Sequence, residues 1–267
     1  MVSFYLLTLT LSWGYWFALL ALGQRVGPGG VAHFPGLLGP MLAAIAVTAM
    51  TGGRQALHAL SGRMLWPGPH GAVKLMLALS PLALGAVACV AMVLLGKPVP
   101  PVAAFTRFPG MPEAWPLAAV LIVVVVVNGF GEEAGWRGFL LERLLLTHGR
   151  VRATLVVALL WSLWHLPLFW LNTGMSAMVG PLLIGWLFAL ICGAFVLAQV
   201  YLATGHSILC VTLWHVTFNT LVSADGGTGL LSAIVSTAVM VWGAIVAVVW
   251  WRTSRRPIGS GLMHDRS

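Results

Sequence analysis

At 267 residues the chain is long enough for one or two ordinary soluble domains, yet only 7% of its residues are charged and 60% are hydrophobic, with a mean hydropathy of +0.96. A typical soluble domain carries roughly 25% charged residues, so this composition excludes a soluble globule: its few charges cannot cover the surface of so apolar a chain. The net charge of +8 is spread over short segments between apolar runs, which reads as a membrane-topology signal rather than a nucleic-acid footprint.

The expected architecture is all-α: a single polytopic transmembrane bundle over residues 1–267, with about 20 residues per crossing. Apolar runs fall at 3–22, 34–50, 74–95, 115–146, 153–170, 178–203, 207–222 and 230–251, which gives about eight spans. The first run lacks a basic flank and a small-residue cleavage site, so it is expected to be a retained span rather than a removed signal. The connections 51–73 and 96–114 are rich in Gly and Pro and read as loops. With the N-terminus inside, only Arg25, Lys97 and Arg107 fall on the outer side. All other basic residues, Arg255, Arg256 and Arg266 included, fall inside. That bias predicts two cytoplasmic termini and a multi-pass protein of the cell membrane. Cys89, Cys192 and Cys210 lie within apolar runs and are expected to pack as free thiols.

Ionisable groups at membrane depth are costly, so each one suggests a site. They cluster in three places. Glu132, Glu133 and Arg137 follow the apolar stretch 117–127 in the fourth run. At about 100° per residue, Glu133 and Arg137 lie about 40° apart and form an i,i+4 pair, whereas Glu132 lies about 140° from Arg137. Glu132 is therefore expected to face elsewhere with no local partner, a position suited to a general base. The alternative is a purely structural ionic network.

His165 stands two residues before Pro167, whose ring removes a helical hydrogen bond to the Leu163 carbonyl and should break the helix beside the imidazole. A satisfied interhelical bond is the competing reading of that histidine. His215 and Asn219 are four apart and share one helix face. They suit either oxyanion stabilisation or an interhelical clasp. His206, at a helix end, is left outside the site. Helix rise allows the three clusters to converge in one cavity open to the cytoplasm.

The segments Glu132-Glu133-Ala-Gly-Trp-Arg137-Gly, Trp161-Ser-Leu-Trp-His165-Leu-Pro and His215-Val-Thr-Phe-Asn219 resemble, in order, the three motifs of the CPBP intramembrane proteases, the group that includes CAAX prenyl endopeptidases and bacteriocin-immunity proteases. The resemblance covers about 115–222, with Trp161 at a position where the family often has Phe. It implies hydrolysis of a peptide bond in a membrane-associated protein or peptide. Glu132 with His165 would activate water, His215 with Asn219 would stabilise the oxyanion, and Glu133 with Arg137 would support the geometry. It leaves open whether Glu132, His165 and His215 bind Zn²⁺ or act without metal. It does not carry CAAX specificity across. The lipid bilayer is the one other partner implied, and no nucleic acid is. Two other classes are weighed: a non-catalytic membrane scaffold or immunity protein, and an ion-coupled transporter, for which no inverted repeat is visible.

Overall fold

The computed structural model describes residues 1–27, 32–68 and 70–254. Once water is removed, an apolar run can satisfy its backbone only within a helix or a closed barrel. The chain takes the helical solution in α1 Val2–Ala21, α2 Gly39–Leu65, α3 Gly71–Ala78, α4 Ser80–Leu94, α5 Leu117–Leu145, α6 Arg150–Trp164, α7 Pro181–Ala203, α8 Ile208–Ser223 and α9 Gly229–Ser254. Among the described residues there is no strand, only an isolated bridge between Val26 and Asn172.

Helix occupies each of the eight apolar runs. Six helical stretches are long and apolar enough to cross a bilayer, and the pair α3 and α4, bent by 45°, brings the number up to seven. Helix α8 has 16 residues, fewer than the roughly 20 of a full crossing. The cysteines are free, as expected. Arg255, Arg256 and Arg266, which entered the topology argument, lie outside the described residues.

One connection differs from expectation. The segment after residue 51 is helical as far as Leu65, with a break at Gly53, whose φ of +61° an L side chain rarely adopts. Beyond the break, Leu57, Leu60 and Met64 recur at helical spacing and outweigh the loop-like composition. Arg63 ties this end of α2 to the bundle, donating to the Tyr201 hydroxyl at 2.6 Å and to the Gly138 carbonyl at 3.1 Å. It also lies 3.5 Å from Glu142.

Three contacts fix the helices that carry the ionisable clusters. Helix α5 approaches the start of α2 through Gly131 and Gly135, where an added Cβ would meet the Leu37 carbonyl and the backbone of Pro40. Such small-xxx-small spacing is how apolar helices come close without a hydrophobic driving force. Helix α1 packs aromatic rings on α5 and α6: Phe4 stacks on Phe139 with centroids 4.6 Å apart, and Trp16 lies 5.0 Å from Trp164. Helices α7 and α8 are joined tightly. Gly205, with φ +70°, ends α7, the His206 amide donates to the Tyr201 carbonyl, and the Ser207 hydroxyl accepts from the Cys210 amide to start α8.

Candidate functional site

Helix α5 is not uniform. Its Gly131–Gly135 turn is α-helical, but Val123–Phe130 and Trp136–Leu141 on either side are π-helical. The i→i+5 bonds of π turns are rare and concentrate at functional positions. Both adjacent carboxylates are taken into the interior: Glu132 is 3% exposed and Glu133 is fully buried.

Glu133 accepts from Arg137 Nη1 at 2.8 Å, as the i,i+4 spacing requires. The same oxygen accepts from His215 Nδ1 at 2.6 Å, across to α8. Arg137 is also fully buried. Buried charge needs a partner of opposite sign, and this pair supplies it. Glu133 Oε2 and Arg137 Nη2 have no hydrogen-bond partner among the described residues.

Glu132 does have local partners, contrary to the expectation from spacing. Its Oε1 accepts from Asn128 Nδ2 at 3.2 Å, one turn earlier on α5. Its Oε2 accepts from Trp161 Nε1 at 2.8 Å, on α6. Asn219 reaches the same network by donating from Nδ2 to Asn128 Oδ1 at 3.1 Å.

Pro167 breaks α6 as predicted. The helix ends at Trp164, and the Leu163 carbonyl is taken by the Leu166 amide at 3.1 Å. Trp13 Nε1 on α1 donates to the Trp164 carbonyl at 2.9 Å. At this break His165 Nδ1 lies 2.7 Å from the Trp161 carbonyl. A carbonyl only accepts, so Nδ1 carries the proton and Nε2 of the neutral ring is a base.

Trp161 is the hub of the arrangement. Its N–H holds Glu132, its ring lies 4.5 Å beneath the Arg137 guanidinium, and the rings of His165 and His215 stand 5.5 and 5.8 Å from it. Four of the six residues singled out from sequence thus stand around one indole, with Glu133 attached through Arg137 and His215, and Asn219 through Asn128. His206 stands apart, bonded to Glu142 Oε2 at 2.7 Å. A cavity of about 380 Å³ lies elsewhere, along α2 between Ile45 and Met64.

Sequence reasoning missed three residues. Asn128 carried a legible signal, a lone amide four residues before Glu132. Trp161 stands out in the sequence as an aromatic, and nothing there marks its N–H as a donor to Glu132. His33 carried none. It precedes the Phe34–Leu65 span, stacks on Phe34 at 4.4 Å and has a buried Nδ1 without a partner. Burial pushes its pKa down to about 4.

Zinc does not suit this arrangement as it stands. Among the described residues no three His, Cys, Asp or Glu side chains are placed to hold a metal ion. The carboxylate of Glu132 is turned to neutral donors, and His215 is turned to Glu133.

Residues 114–221 match the family model described as Type II CAAX prenyl endopeptidase Rce1-like. No curated protein matches the chain. The match spans less than half of the sequence but contains all three polar clusters, together with Asn128 and Trp161. Over residues 114–221 this multi-pass, all-α membrane protein is therefore similar to the Rce1-like family of CAAX-type intramembrane proteases.

Proposed function

We propose that the protein is an intramembrane endopeptidase of the cell membrane that hydrolyses a peptide bond in a membrane-associated protein or peptide. The observation that carries the reading is the single indole of Trp161 touching Glu132, Arg137, His165 and His215 at once. Residues spaced over three helices and gathered around one buried ring suit a catalytic constellation better than separate structural clasps would.

In this mechanism Glu132, with lone pairs left beyond its two hydrogen bonds, takes one proton of an attacking water, whose other hydrogen is held by the Nε2 of His165. The water oxygen bonds to the scissile carbonyl carbon. His215, its Nδ1–H held by Glu133, donates from Nε2 as the doubly protonated imidazolium, and with the remaining amide hydrogen of Asn219 it stabilises the oxygen of the tetrahedral intermediate. Collapse breaks the C–N bond, and the proton held by the base passes to the departing amine. Glu133 and Arg137 hold His215 and Trp161 in place. The bias of basic residues supports placing both termini on the cytoplasmic side.

The test is quantitative proteomics of new N-termini in membranes containing the wild type or Glu132→Ala. Peptides cleaved by the wild type and left intact by the variant are expected. Identical cleavage with both would overturn the proposal.

A further inference from the structure

We infer that Asn128 is a positioning residue: its side-chain amide, wedged between Glu132 and Asn219, fixes the orientation of both. This rests on the catalytic reading given above for Glu132 and Asn219. The carboxylate of Glu132 can only accept, so the NH₂ of Asn128 must face it at 3.2 Å. The Asn128 carbonyl oxygen then necessarily faces α8, and Asn219 must turn its own NH₂ toward it, at 3.1 Å.

One charge therefore sets the direction of two amides. Asn219 cannot flip without placing oxygen against oxygen. Its second amide hydrogen is thereby committed to one direction, which is what an oxyanion donor needs. Glu132 Oε1 is held from one side by Asn128 while Trp161 holds Oε2 from the other, so the plane of the carboxylate is fixed. A group aligned in this way need not reorganise as charge moves. An interhelical clasp would use the same two bonds, but it would not depend on which end of the amide faces Glu132.

That dependence gives the test. The full chain in liposomes is assayed with an internally quenched farnesylated peptide ending in a CAAX sequence. Asn128→Ala is expected to lower kcat by about ten- to hundredfold, the worth of a hydrogen bond to a charged group, with KM within about twofold. Asn128→Asp sets a second carboxylate against Glu132. Of the charged and titratable groups around that position, Glu132 on its own helix is bonded to it, and Glu133 and Arg137 on that helix, His33 at the start of the 34–38 turn packed against α5, His165 beside α6 and His215 on α8 complete the set. Activity of Asn128→Asp should be lost at neutral pH and recover as pH falls, because a protonated carboxyl at 128 again donates to Glu132 and accepts from Asn219. Asn128→Ala should not recover at any pH.

A clasp without a positioning role would leave both variants with the wild-type pH profile and near wild-type kcat, and that result overturns the inference. Glu132→Gln run alongside separates the two claims: if it cleaves like the wild type, the catalytic reading itself falls. A second measurement needs no substrate. In a thermal-stability double-mutant cycle, Asn128→Ala and Asn219→Ala should be clearly non-additive. Additive effects would show that the two amides do not hold each other, and would overturn the inference whatever the probe does.

Discussion

The indole N–H of Trp161 donates to Glu132 Oε2 at 2.8 Å, joining α6 to α5 at a point where both partners are buried. This bond couples the second motif to the first. It also places the ring so that its face meets Arg137 while the imidazoles of His165 and His215 stand around it.

Trp161 therefore does two separable things, and two substitutions separate them. Trp161→Phe keeps an aromatic face for Arg137 and His215 but removes the donor, and is expected to lower kcat about tenfold, near the low end for a hydrogen bond to a charged group. Trp161→Ala removes the ring as well and should cost roughly 3–5 kcal/mol of stability, as large core truncations do. Steady-state kinetics and thermal melts in detergent check both. Equal losses for the two variants would show that the ring alone matters.

The two adjacent glutamates should respond oppositely to the same change. Glu132 faces two neutral donors, so Glu132→Gln should abolish cleavage while the protein stays folded. Glu133 compensates the buried Arg137 and holds His215, so Glu133→Gln leaves a buried charge uncompensated, at a cost of roughly 3–5 kcal/mol. At 2–4 °C per kcal/mol for a domain of about 150–250 residues, that lowers Tm by about 10 °C. The comparison of melting temperature with activity tells the two apart. A larger melting loss for Glu132→Gln would contradict the assignment.

Much of this was legible in the sequence because the bilayer leaves few choices. Apolar runs must become helices, and the Glu133–Arg137 pair follows from α-helical spacing alone. What the spacing could not give was the partner of Glu132. An angle measured from Arg137 ignored the preceding turn, where Asn128 sits, and it could not foresee an indole arriving from α6. The second half of α2 was hidden for a different reason. Gly53 and the polar residues after it look like a loop, and only the docking of Arg63 against Tyr201 and Gly138 makes the helix worthwhile. The π turns flanking Glu132 leave no periodic mark in a run as uniform as Val123–Val127.

His33 gives a pH dependence of stability. Its folded pKa of about 4 lies below the ordinary imidazole value of 6.5, because burial disfavours the charged ring. Between those values the unfolded chain binds a proton that the folded chain refuses, so stability falls as pH drops from about 6.5 toward 4 and is fully present above that window. His33→Leu removes the titrating group. The difference in Tm between wild type and variant, followed across the window, should shift against the wild type as acid is added. A constant difference would show that His33 does not titrate on unfolding.

Gly131 and Gly135 let the chain segment that carries both glutamates sit directly on residues 37–40. A Cβ at 135 would lie 2.7 Å from the carbonyl carbon and oxygen of Pro40, backbone atoms that cannot swing aside as a flexible side chain would. Gly135→Ala should therefore push α5 away from α2, lowering both thermal stability and cleavage, by roughly 1–3 kcal/mol for overpacking of this kind. Gly14 and Gly62 provide the control, since a Cβ at either meets nothing within 4 Å. Gly14→Ala and Gly62→Ala should leave the melting temperature unchanged or slightly raised, as expected when alanine replaces an uncrowded helical glycine. If Gly135→Ala melts like these two, the close approach of α5 to α2 is not what holds Glu132 and Glu133 in place.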